Sequence, residues 1–131
     1  MSRQKIGPAR WVALGAFSCG LAVVTGAFGA HGLERVVDAQ GMAWWKTAVE
    51  YHFIHALALI ACGLHAERRE LAGWIPGLML AGWVLFSGTL YAMALGAPRW
   101  FGAITPVGGT LWIAAWIGLG WSAWRSARSG S

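Results

Sequence analysis

Four stretches of the chain, 11–33, 51–66, 71–98 and 100–124, contain no Asp, Glu, Lys or Arg. They run to 23, 16, 28 and 25 residues, and every charged side chain lies between them or at the ends. A helix needs about 20 predominantly apolar residues to cross the hydrocarbon core, and three of these stretches reach that length unaided. The pattern predicts helices over about 9–32, 44–65, 73–95 and 104–124. The second begins polar, with Lys46 and Glu50, and becomes fully apolar only from Phe53. Leu33 to Ala43, with the turn-like Gly41, and the charged run Glu67-Arg68-Arg69-Glu70 read as connections. Pro76 falls in the first turn of the third helix, where a missing N–H costs little, and Gly96-Ala97-Pro98 ends that helix. A polar Ser/Arg/Gly tail follows the fourth.

Composition agrees with this reading. Only 11% of the 131 residues are charged and 57% are hydrophobic, whereas soluble domains carry about 25% charged residues. Too little polar sequence remains to cover a water-facing surface. Soluble globular, disordered and secreted disulfide-rich classes are excluded. The expectation is an all-α membrane protein, a single domain over 1–131 built as a four-transmembrane-helix bundle. Cys19 and Cys62 lie deep in apolar stretches without CxxC or Cys/His spacing, and read as small buried hydrophobes. The net charge of +5 lacks a basic cluster interleaved with aromatics. It therefore reads as contact with anionic lipid and as topology, with no nucleic-acid partner. The apolar run from Trp11 to Gly32 exceeds a signal-peptide core and reads as a retained span.

Lys and Arg collect on the cytoplasmic side of a membrane protein. An N-in, C-in arrangement puts Arg3, Lys5, Arg10, Arg68, Arg69, Arg125 and Arg128 inside, against Arg35, Lys46 and Arg99 outside. Both termini are therefore expected in the cytoplasm, with the protein in a bacterial inner membrane. Trp11, Trp44, Trp45, Trp74, Trp100, Trp121 and Trp124 fall at predicted span ends, the headgroup level that indoles favour. Trp83, Trp112 and Trp116 lie deeper and read as packing or lipid contact. Small residues recur every fourth position at Ala22-Gly26-Ala30, Gly73-Gly77-Ala81 and Ala114-Gly118-Ser122. Such stripes let helix backbones approach closely in lipid.

With this topology most polar membrane residues fall in the outer half of the bundle. His31, Thr47, Glu50, Tyr51, His52, His55, Tyr91 and Thr105 form a candidate outer-leaflet polar cluster. Thr25, Thr89 and Thr110 lie nearby, and the inner halves offer little beyond Ser18 and Ser122. Glu50 is singled out because an ionisable group inside a membrane is a functional candidate by default. Its structural alternative is an ion pair with Lys46, one turn away. His52 and His55 share a side of their helix, and the simple reading of His55 is a hydrogen bond to a Thr, Ser or Tyr on another helix. A bis-histidine haem needs ligands at similar depth on facing helices. His31 and His55 do not match in depth, so no cofactor and no metal site is expected. No nucleophile elbow, HExxH motif or phosphate loop is present, and no catalytic residue is assigned.

The segments Gly26-Ala-Phe-Gly-Ala-His-Gly-Leu33, Thr47-Ala-Val-Glu-Tyr-His52, His55-Ala-Leu-Ala-Leu59, Phe86-Ser-Gly-Thr-Leu-Tyr91 and Ile104-Thr-Pro-Val-Gly-Gly109 together resemble domain-of-unknown-function family 423. That family of small four-helix membrane proteins includes eukaryotic transmembrane protein 256. The resemblance spans about residues 10–122 and implies a bacterial inner-membrane protein with four spans. It implies no reaction. Relatives often carry Gln or Arg beside the tyrosine where this chain has Glu50, so a carboxylate there is not a family-wide feature.

Three functions fit the sequence. The first is a non-enzymatic accessory subunit or assembly factor, binding a membrane-protein partner or itself. The second is a small homodimeric proton-coupled transporter or channel using Glu50. The third is a lipid or quinone headgroup site formed by His31, Glu50, Tyr51 and His55.

Overall fold

The computed structural model describes residues 7–130. Four apolar helical spans cross the molecule, over Pro8–Arg35, Ala39–Arg68, Trp74–Ala94 and Arg99–Ser129. They contain five α-helices: α1 (Pro8–His31), α2 (Ala39–Arg68), α3 (Trp74–Leu85), α4 (Ser87–Ala94) and α5 (Thr105–Ser129). Short 3-10 turns at Leu33–Arg35 and Arg99–Ala103 complete the first and last spans. No strand occurs among the described residues.

Local chemistry sets the helix ends, and three of them differ from the pattern reading; α2 runs to Arg68, so Glu67 and Arg68 of the expected connection are helical. α2 starts at Ala39 rather than near 44, because Asp38 caps it: its carboxylate accepts the Gly41 N–H at 2.7 Å. Gly41 therefore sits inside the first turn. Its missing side chain leaves room for the Asp38 carboxylate and Val37, each 3.2 Å from where a Cβ would lie. At the other terminus α5 runs to Ser129, five residues beyond its predicted end, so most of the polar tail is helical. α4 ends in a left-handed turn. Gly96 takes φ 104°, and the Ala97 N–H returns to the Ala92 carbonyl at 2.9 Å, a closure that suits glycine.

The third span is interrupted at Phe86, where the sequence pattern shows an unbroken helix. Two causes meet there. The Thr89 hydroxyl bonds back to the carbonyls of Leu85 and Phe86, at 2.8 and 2.9 Å, which bends a helix. Across the interface Gly108 presses its backbone against Phe86, and a Cβ on Gly108 would overlap the Phe86 backbone nitrogen.

α2 is the central helix. α1 packs along one side of it, while α3 and α4 pack along another; α5 lies mainly against α3. Cores form between these pairs. One gathers Trp11, Leu59, Cys62, Met79 and Trp112; a second gathers Leu33, Met42, Trp45 and Ala94. Glycines set the closest approaches. A Cβ on Gly15 would strike Ala56 and Ile60, and one on Gly63 would strike Val12 and Pro8. The α1–α2 contact thus uses Gly15, Ala22 and Gly29, all buried and seven residues apart; of the expected stripe, Ala22 is buried there and Gly26 lies beside Val49, while Ala30 is exposed. Gly73 and Gly77 have nothing within 4 Å of a built Cβ, so that stripe makes no close contact within the chain. Trp11 and Trp45, both near the starts of their helices, face into the bundle and are buried at 7% and 5% exposure.

Candidate functional site

The candidate residues do not form one cluster. They separate into two hydrogen-bonded groups on different sides of α2, one threonine pair, and several side chains outside them.

The first group centres on His52, which is fully buried. Its Nε2 lies 2.9 Å from the Ser18 hydroxyl on α1, and its Nδ1 lies 2.9 Å from the Tyr91 hydroxyl on α4. Tyr91 also meets the Thr25 hydroxyl at 3.1 Å, and Thr25 donates to the Ala22 carbonyl at 3.1 Å. That last bond sets the direction of the others. Thr25 has a single hydroxyl hydrogen, and it goes to a carbonyl, so Tyr91 donates to Thr25. The Tyr91 oxygen then accepts from the His52 Nδ1–H, and His52 Nε2 accepts from Ser18. The chain runs Ser18, His52, Tyr91, Thr25, Ala22 carbonyl with every donor pointing the same way. It starts and ends on α1, so it ties α1 to α2 and α4. Aligned hydrogen bonds in a low-dielectric interior polarise one another. Trp45 braces the same place: its indole N–H donates to the Thr25 carbonyl at 2.8 Å and its ring meets Tyr91 edge-on at 4.6 Å. Gly29 makes room for that indole, since a Cβ there would overlap it.

The second group centres on His55. Its ring stacks on Trp112 with centroids 3.5 Å apart and planes 7° apart. Nδ1 lies 2.7 Å from the Tyr51 carbonyl one turn earlier, and Nε2 lies 3.0 Å from the Trp116 indole nitrogen. A carbonyl only accepts and an indole N–H only donates, so His55 is held as the Nδ1–H tautomer. The reading of His55 as bonded to a hydroxyl of another helix is corrected: its partners are its own helix's backbone and an indole of α5. Trp112 is anchored in turn by its N–H to the Met79 carbonyl at 2.9 Å, and Gly82 opens the slot for its ring. The Tyr51 ring, 41% exposed, lies near His55, Phe86 and Trp112.

Thr105 meets Thr89 at 2.7 Å, joining the start of α5 to α4. Thr47 is half-buried and joins neither histidine group. His31 is exposed at the end of α1, away from both. Glu50 is exposed and makes no hydrogen bond or ion pair with any described residue, so the expected pairing with Lys46 is not formed. It sits on the outward side of α2, away from every neighbouring helix.

The sequence reading missed the roles of Ser18, Thr25, Trp45, Trp112 and Trp116. Helical spacing carried a signal for one of them: Ser18 and Thr25 are seven residues apart and share a face of α1. No spacing within α5 could pair Trp116 with a residue of α2. Both ring nitrogens of His52 and of His55 are engaged, so neither ring offers a free lone pair to a metal or haem. Among the described residues no group of three His, Cys, Asp or Glu is gathered. A cavity of about 500 Å³ opens at the loop end of the bundle, between Leu33, Val37, Asp38, Trp44 and Arg99. Neither histidine group lines it.

Residues 25–109 match the family described as "Protein of unknown function (DUF423)". The chain is 43% identical over 110 residues to a UPF0382 membrane protein of Staphylococcus saprophyticus, covering 83% of this chain and 92% of that one. It is 43% identical over 113 residues to UPF0382 membrane protein YwdK of Bacillus subtilis, covering 82% and 89%. It is 38% identical over 110 residues to UPF0382 inner membrane protein YgdD of Escherichia coli, covering 82% and 84%. No solved structure matches the chain. The matched segment holds Thr25, His52, His55, Tyr91 and Thr105, and no relative's name carries a reaction, so the family gives these residues a membrane setting and no chemistry. A four-span bundle of this length and this similarity is a DUF423 membrane protein, without an established biochemical role.

Proposed function

We propose that this protein is a non-enzymatic membrane subunit that binds a protein partner within the bilayer. The observation that carries the proposal is the position of Glu50. α2 begins at Ala39 and has 30 residues, so it is about 45 Å long, and Glu50 lies about 16 Å from its start. With the helix centred on a hydrocarbon core of about 30 Å, the Glu50 Cα is about 9 Å inside the core. It points out of the bundle with no partner there. Membrane-buried carboxylates are costly and are ordinarily paired or turned inward. A partner helix that brings a cation or a hydrogen-bond donor to that depth supplies what the isolated chain lacks. The interior supports the same reading: apart from the Trp83 indole nitrogen, buried without a partner among the described residues, its polar groups are hydrogen-bonded, most of them across helices, which is what a scaffold needs.

The proposed setting is a bacterial inner membrane with both termini in the cytoplasm. Pro8 and Gly130 lie at the same end of the bundle, close to Gly63 and Arg69 respectively. That end carries Arg10, Arg68, Arg69, Arg125 and Arg128. Arg3 and Lys5, which add to the same bias, lie outside the described residues.

A photo-crosslinking amino acid placed at Phe53, on the outward face of α2, tests the proposal in cells. The expected result is a discrete protein adduct that is lost with Glu50→Leu. Lipid adducts alone would overturn it.

A further inference from the structure

We infer that the partner on the outward face of α2 is a second copy of this chain, joined by reciprocal Lys46–Glu50 pairs. The inference rests on the partner-binding reading and names its occupant.

The outward face of α2 is a seam. Ala43, Lys46, Glu50, Phe53, Leu57 and Leu64 are all exposed, at alternating steps of three and four residues, with the half-buried Ile60 completing the series. That spacing is the a/d pattern by which one helix packs along another of the same kind. The helices of this chain leave the seam open except at Ile60, which lies against Gly15 of α1. α1 meets α2 through Trp45, His52 and Gly63, while α4 and α5 meet it through Ala48 and His55. Phe53, Leu57 and Leu64 stay 37%, 49% and 51% exposed.

Charge complementarity selects the occupant. The seam carries one base and one acid, a single helical turn apart, and neither is paired with any described residue. Two copies in one membrane share their orientation, so a two-fold axis along the membrane normal sets two α2 seams side by side and parallel. In parallel packing each seam residue enters a hole of four facing residues that spans its own layer and the adjacent one, so Leu57 faces Leu57 while Lys46 borders both Lys46 and Glu50 of the other copy. Lys46 of each copy therefore meets Glu50 of the other, and an isologous contact repeats the pair twice. A second copy supplies the required cation at the required depth with no other sequence.

The test uses the full chain with Cys19→Ala and Cys62→Ala, in vesicles of phosphatidylethanolamine and phosphatidylglycerol. Single cysteines are placed at Leu57 on the seam, at Val23 on α1 and at Ile117 on α5. The two control positions are 60% and 67% exposed. Copper phenanthroline oxidation is expected to give disulfide dimers from Leu57→Cys and not from the other two. Adding Glu50→Lys or Lys46→Glu is expected to lower the dimer yield about tenfold, the equivalent of about 1.4 kcal/mol. The combined Lys46→Glu, Glu50→Lys swap restores it. Circular dichroism of each variant confirms that the helices are retained. Equal cross-linking at all three positions, none at Leu57, or no rescue by the swap overturns the inference. An in-cell adduct at Phe53 to a different protein only overturns the second copy and leaves partner binding standing. The absence of any protein adduct removes both.

Discussion

The Trp116 indole N–H on α5 meets His55 Nε2 on α2 at 3.0 Å, while His55 Nδ1 meets the Tyr51 carbonyl at 2.7 Å. One partner can only donate and the other can only accept, so the two bonds together select one form of the ring. The contact also connects α5 to the central helix, although α5 packs mainly against α3.

Nitrogen-15 NMR of histidine-labelled protein is therefore expected to show His55 as a single Nδ1–H tautomer. Trp116→Phe removes the donor and keeps the ring. It is expected to destabilise the fold by about 1 kcal/mol and to change the His55 shifts while leaving those of His52 in place. Equal populations of both tautomers in the unmodified chain would contradict the geometry.

Tyr91 supplies one hydroxyl to two neighbours, His52 and Thr25, on two other helices. Tyr91→Phe leaves a buried Nδ1–H without its acceptor and is expected to cost about 1–3 kcal/mol. Ser18→Ala removes only the donor to Nε2 at the half-exposed end of the chain, and the expected cost is smaller. Denaturant unfolding in detergent measures both, and the reverse order would show that the Tyr91 bonds do not hold the helices together.

Gly108 and Gly77 form a matched pair for packing. A Cβ at Gly108 overlaps the Phe86 backbone, which has no flexible end to move aside, whereas one at Gly77 meets nothing within 4 Å. Gly108→Ala is expected to destabilise by about 1–3 kcal/mol. Gly77→Ala is expected to be neutral or slightly stabilising, since alanine is the better helix former. Thermal unfolding of the two variants side by side checks the difference.

The proposed orientation makes its own prediction. Alkaline phosphatase fused after Ser131 is expected to be inactive, because that enzyme needs export to fold, and the same fusion inserted at Ala97, in the loop at the opposite end, is expected to be active. The opposite pattern would invert the assignment of sides.

How far the site was legible varies residue by residue. The polar outer end of α2 was visible in Lys46 and Glu50, and Ser18 and Thr25 were visible as polar residues of the first span. Their partners were not. His52 and His55 are three residues apart, and a shared side of one helix is all that spacing can express. The structure turns one toward α1 and α4 and the other toward α5, because the gap between those neighbours falls between the two side chains. The break at Phe86 was equally hidden, since it depends on Gly108 arriving from another helix. Asp38 is different. Its capping bond to Gly41 is local, and the early start of α2 could have been read from an Asp three residues ahead of a glycine in a helical first turn.

The sequence alone determined the solvent, the four spans and the family. These are sums of local quantities: apolar transfer adds along about 20 residues irrespective of what each side faces, and five ordered motifs identify relatives. Only the tertiary structure decided which polar groups are spent inside the bundle and which remain unpaired outside it. That outcome depends on the rotation of each helix about its own axis. The rotation is set by the glycines that allow close approach, Gly15, Gly29, Gly63, Gly82 and Gly108, and by the indoles that fill the space at Gly29 and Gly82. It places His52 and His55 inside, and it leaves Glu50 facing outward.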